Sequence, residues 1–162
     1  MNLRIFFSDE QSEIKVKYDL KMLVRTAIKE TLAFEDFGRD CNVSVTFTDD
    51  EGIKALNGEF RNIDKPTDVL SFPMMDENDP FVPGRAVELG DIVLNLQRAK
   101  LQGEQFGHGF AREAAFLVIH STLHLLGYDH ETGDEDDADM RARQSAIAEL
   151  CGFGLKNTTE VK

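Results

Sequence analysis

The sequence predicts an α+β domain, and three observations carry that expectation. Val43, Val45 and Phe47 alternate with polar neighbours, the period of a strand with one buried face. From Leu20 the apolar residues Leu23, Val24, Ala27, Ile28 and Leu32 recur at three- and four-residue steps, the period of an amphipathic helix. Strand-like and helix-like runs then follow one another as strand, helix, strand, helix, two strands and helices.

Taken in order, Leu3 to Phe7 reads as a short strand and the stretch from Leu20 as the first helix. After the Val43 to Phe47 strand, Asp49 or Asp50 is placed to cap a short helix through Ile53, Leu56 and Asn57. Val69 to Phe72 and Leu89 to Leu94 are β-rich runs, separated by an acidic loop carrying Pro73, Asp76, Asp79, Pro80, Pro83 and Gly84. From Asn95 the pattern is helical and stays so. Ala111 to Leu126 is apolar nearly all round, which predicts a central, buried helix. Gly127 should end it, because glycine readily takes the left-handed turn that closes helices. The run Gly133 to Asp137 opens a last helix with Met140, Gln144, Ile147 and Cys151 on one face, its acids complementing the helix dipole.

A chain of 162 residues, 41% hydrophobic and without repeats or a Pro/Ser linker, suits a single domain over residues 1–162. Its formal charge of −12 weakens any simple case for wrapping a nucleic acid backbone with a basic face, although a sum says nothing about arrangement. The apolar run near Met1 is too short for a signal-peptide core. No stretch approaches the roughly 18 apolar residues of a membrane span. Cys41 and Cys151 lie far apart without CxxC spacing and read as buried free thiols, which points to a reducing cytoplasm.

Chemistry concentrates in His120-Ser121-Thr122-Leu123-His124-Leu125-Leu126-Gly127-Tyr128-Asp129-His130. Residues four apart share a helix face, so the His120 and His124 rings can converge on one ion. A chain turned back by Gly127 lets His130 supply a third ligand. Three of the four histidines fall within these eleven residues, which outweighs the reading of satisfied core histidines; His108, the fourth, sits in a Gly-flanked turn before the helix and has no role here. Three imidazoles suit zinc and leave a fourth place for water, as catalytic zinc sites do. Metzincin proteases share this spacing, but there a glutamate base follows the first histidine. Here that position is Ser121, a poor base.

A second polar segment runs Arg61-Asn62-Ile63-Asp64-Lys65-Pro66-Thr67-Asp68-Val69-Leu70-Ser71-Phe72-Pro73. Alone it reads as a solvated, capped loop. Paired with Leu89-Gly90-Asp91-Ile92, Glu113, the histidine cluster and Met140, it closely resembles the YbeY endoribonuclease family of rRNA maturation factors, from about Leu56 to Glu149. Many members carry glycine where Ser121 stands.

The resemblance implies a zincin-like fold, with a small mixed sheet packed with helices around a central metal-binding helix. It implies a cytoplasmic, single-strand-specific, zinc-dependent endoribonuclease active in 16S rRNA 3′-end maturation and ribosome quality control. Single-stranded RNA would be the substrate, with the ribosome or ribosomal proteins as partners. His120, His124 and His130 would hold one Zn2+, and Arg61 would be the essential cation, its guanidinium clamping charge that builds at phosphorus. Asp68, Asp91 and Glu113 are candidates to orient these groups from behind. A zinc hydrolase of another substrate, or a ribosome-associated factor with structural zinc, are the competing readings. An acidic chain should also make few phosphate contacts, so targeting would fall to the ribosome.

Overall fold

In a computed structural model the chain is described at every residue except 77, 79, 81, 129–133 and 154–162, with 134–136 described for the backbone alone. The elements are β1 (Leu3–Asp9), α1 (Tyr18–Phe34), β2 (Cys41–Thr48), α2 (Asp50–Arg61), β3 (Val69–Pro73), β4 (Val87–Asn95), α3 (Leu96–Gln105), α4 (Gly109–Leu125) and α5 (Asp134–Leu150). The strands form one mixed sheet in the order β1-β2-β4-β3. β1, β2 and β4 run parallel, and β3 lies antiparallel to β4 at the edge. No described helix is long and apolar enough to cross a membrane.

The alternation in β2 sorts the sheet faces. Val43, Val45 and Phe47 are buried while Asn42, Ser44 and Thr46 are only half-buried. Pairing of Phe7 with Val45, Val45 with Ile92 and Ile92 with Ser71 puts these residues on the face covered by α1 and α4, whose Val24, Ile28, Val118 and Leu123 complete the main core. α2 covers part of the opposite face, packing Ile53 on Leu70 and Val93.

A bulge in β4 decides what faces which way. Asn42 pairs with Glu88 but Val43 pairs with Gly90, so Leu89 is an extra residue, and both Leu89 and Ile92 point into the core. Gly90 sits at φ +146°, where a Cβ would run into the Phe72 carbonyl and stand 2.8 Å from Leu125 Cδ2. Glycine there lets β3 and the end of α4 close on β4.

After Asn95 come α3, α4 and α5, with α3 and α4 separated at the Gly-flanked turn that holds His108, as the sequence predicts. Gly107 at φ +74° and Gly109 at φ +84° turn the chain between them. Gly103 presses against the Gly109 backbone, so a side chain there would push α3 off α4. α4 is buried along most of its length, as its apolar composition predicts, and it ends at Leu125, with Gly127 closing it just beyond. Gly127 N–H donates to the His124 carbonyl at 3.0 Å and Tyr128 N–H to that of Leu123 at 3.1 Å, the paired closure of a glycine-terminated helix. In α5, Met140, Gln144 and Ile147 are buried. Cys41 and Cys151 are free, and burial pushes each thiol up to about 11, leaving both protonated and unreactive near neutral pH.

Candidate active site

His120 and His124 meet on one face of α4, half-buried, with Nε2 atoms 3.0 Å apart and ring planes at 75°. Both line a cleft of about 550 Å³ together with Arg61, Asp68, Ser71 and Tyr128. Two nitrogens bound at about 2.05 Å to a tetrahedral ion stand roughly 3.3 Å apart, so this pair fits zinc with little movement. Among the described residues no cluster of three or more His, Cys, Asp or Glu side chains is arranged to hold a metal. His130 lies outside the described residues.

Ser121 points away from this cleft. It is fully buried, and its Oγ lies 2.5 Å from Ser71 Oγ, tying α4 to β3. One residue along a helix turns by about 100°, so a neighbour of His120 faces the sheet, not the ion. Ser121→Ala should therefore destabilise by about 1–3 kcal/mol, through the Ser71 hydroxyl left unpaired, and Ser71→Ala on top should restore most of it. Urea melts of the two single variants and the double variant measure this; purely additive losses would refute a specific pairing.

Arg61 ends α2, whose start is capped by Asp49, its carboxylate accepting from Gly52 N–H at 2.9 Å. Asn62 leaves the helix in the left-handed region at φ 58°, and Ile63 N–H returns to the Asn57 carbonyl. Asn57 Nδ2 donates to the Lys65 carbonyl at 2.9 Å, and Asn95 Nδ2 donates to the Thr67 carbonyl at 3.0 Å. These buried amides pin the loop on which the cleft wall depends. Arg61 itself is exposed and, among the described residues, makes no hydrogen bond or ion pair.

The three carboxylates behind the site separate. Asp68 lines the cleft, its Oδ1 accepting from Val69 N–H at 2.8 Å. Glu113, on α4, is buried beside His108, with Oε1 3.4 Å from Nε2. Burial raises its pKa, the neighbouring His108 opposes that, and the Asp68 carboxylate adds to it. Asp91 is not brought to the histidines. It pairs with Ser44 and Phe72 on the opposite sheet face and lines a different groove with Phe6 and Phe60. The bulge at Leu89 sets that orientation.

A folded acid whose pKa is raised binds its proton more tightly than the unfolded one does. Its neutral form stabilises the fold below the ordinary carboxylate value of about 4.3, and that contribution is lost as pH rises through the folded pKa. Glu113→Gln should therefore gain stability relative to the parent as pH rises above about 4.3, read from urea midpoints across pH. An unchanged difference between the two proteins across that range would contradict it.

Tyr128 is a cleft residue that the sequence reading did not single out. Its hydroxyl donates to Glu35 Oε1 at 2.5 Å, and Arg143 Nη1 donates to Glu35 Oε2 at 2.7 Å. Burial first, then the Glu35 carboxylate, push the phenol up to about 12, so it stays a donor. Tyr128 and Arg143 lie 93 and 108 residues from Glu35 in sequence, and only the packing of the helices joins them.

The chain is similar to known proteins along most of its length. The family model described as endoribonuclease YbeY matches residues 6–152. Proteins named endoribonuclease YbeY from Bacillus cereus and Bacillus mycoides are each 42% identical over 158 residues, covering 95% of this chain and 99% of theirs. The solution structure of TM1509 from Thermotoga maritima superimposes with a TM-score of 0.57 at 32% identity, covering 92% of this chain and 88% of that one. With its fold, its sequence and nearly its whole length shared in this way, the chain belongs to the YbeY endoribonuclease family.

Proposed function

We propose that the chain is a single-strand-specific, zinc-dependent endoribonuclease of rRNA processing, acting in the cleft bordered by His120, His124 and Arg61. Family membership makes it a hydrolase of RNA phosphodiester bonds. The observation that carries the finer reading is the sharing of one cleft by two convergent imidazoles and a guanidinium that is unpaired among the described residues, from elements about sixty residues apart. His120, His124 and His130 would hold the ion, and a zinc bound there would supply Lewis acidity to activate water near neutral pH. Arg61 donates to the non-bridging oxygens of the scissile phosphate and holds them as their charge grows. Asp68 lines the same cleft and would orient these groups. An open cleft of this size admits the backbone of an unpaired strand, whereas a duplex keeps its phosphates on a convex cylinder. The biological setting of this reading is 16S rRNA 3′-end maturation and ribosome quality control in the cytoplasm, with the ribosome or its proteins as partners.

The test compares metal-stripped and zinc-reloaded protein on unstructured RNA and on a peptide panel. RNA cleavage should vanish with the metal and return with zinc, and peptides should stay intact, because Ser121 offers no base and faces the sheet. Chelator-sensitive peptide turnover with untouched RNA would reverse the assignment.

A further inference from the structure

The formal charge of −12 is a sum, and the fold concentrates cations along one line. Lys17, Lys21, Arg25 and Lys29 follow each other at four-residue steps along α1, with Lys17 at its N-cap. The helical rise spaces them about 6 Å apart over a track of roughly 18 Å, drifting about 40° per step. The two acids of α1, Asp19 and Glu30, fall roughly 140° and 160° from the midline of that track. Lys17, Lys21 and Lys29 are exposed. Arg25 donates from Nη1 to the Leu3 carbonyl at 3.2 Å, which lays the track beside β1, and Lys21 Nζ stands 5.7 Å from the Phe7 ring centre. Among the described residues none of the four pairs with a carboxylate. At the far end Arg25 and Lys29 join Arg4 around a notch of about 270 Å³.

Like charges four residues apart disfavour a helix, so this arrangement lowers the stability of the free protein and is relieved by an anion. We propose that the α1 track binds the phosphodiester backbone of the RNA substrate outside the cleft; this rests on the endoribonuclease reading above. The cation spacing is comparable to that of successive phosphates on an unstacked strand, a partner whose own charges form a regular row. The apolar face of α1, with Val24, Ala27, Ile28 and Leu32, is buried in the core and not available for insertion into a bilayer. β1 is the sheet edge opposite β3, three strand spacings or about 14 Å away, so RNA held in the cleft reaches the track only after several nucleotides. The track therefore favours long single strands over short ones.

The experiment measures binding of a long unstructured RNA and of a short oligonucleotide across salt concentrations. It compares the parent, Lys17→Gln/Lys21→Gln/Lys29→Gln, and a control of equal charge change, Arg85→Gln/Lys100→Gln/Arg141→Gln. Each lost phosphate contact flattens the log–log salt slope by about 0.7, so the track variant should be shallower by about 2 on long RNA. A fourfold rise in salt then weakens the parent roughly twentyfold more than the track variant. KM for long RNA should rise in the track variant while cleavage of the short oligonucleotide is unchanged, and the control should match the parent. Equal slopes for the parent and track variant, with RNA cleavage intact, overturn the track and leave the nuclease standing. Parent binding to anionic vesicles, lost in the track variant whose RNA binding is normal, overturns it in favour of a membrane. A parent that neither binds nor cleaves RNA removes the nuclease reading and the track together.

Discussion

Arg61→Ala is expected to keep its zinc and its fold and to lose RNA cleavage by a factor of about one hundred to one thousand. The side chain stands exposed in the last turn of α2 and has no partner among the described residues. Its removal costs the fold only a favourable charge at a helix end, about 0.3–1 kcal/mol. Turnover is different, because under the proposed mechanism attack at phosphorus builds charge on the oxygens that this guanidinium would hold, and a donor stronger in the transition state than in the ground state raises the rate. Arg61→Lys should recover part of the activity, since an ammonium lacks the planar two-pronged contact. Zinc content, circular dichroism and RNA turnover on the same preparations make the test. Cleavage by Arg61→Ala at the parental rate would make the residue a solvated surface charge and end the mechanism.

Single replacement of His120, His124 or His130 by alanine should sharply lower zinc content and abolish cleavage with it, whereas His108→Ala should leave zinc content unchanged. His120 and His124 place two nitrogens 3.0 Å apart in the cleft, and losing either would break the proposed set of three protein donors. His108 instead lies against Glu113, two turns of α4 from His120. The measurement is bound zinc per chain after exhaustive dialysis. A His124→Ala protein that retains full occupancy would show that the ion, if any, sits elsewhere.

The parts of the site visible in the sequence are those built within one turn or two of chain. The His120 and His124 face follows from helix geometry, and the helix stop follows from Gly127, which sits at φ +105°. The strand faces of β2 follow from alternation for the same reason. Even there, locality has limits. The Gly-flanked turn at His108 is visible in the sequence, but the packing of Gly103 on the Gly109 backbone, which closes α3 against α4, is visible only in the fold.

By itself, then, the sequence determined the α+β class, the order of the elements, the paired histidines and the family motifs, all of which depend on neighbours along the chain. Tertiary structure alone decided that Arg61 shares a cleft with His120 and His124, because that requires α2 and α4 to meet around β3. It turned Asp91 to the far face through a one-residue bulge, since facing in a sheet depends on register with other strands. It buried Ser121 against Ser71 and joined Tyr128 to Glu35 and Arg143, contacts between segments that no local rule relates. The lysines of α1 could be counted at their four-residue spacing, but that they stand beside β1 with no carboxylate partner among the described residues depends on which helix face the core takes, and the core is assembled from the whole chain.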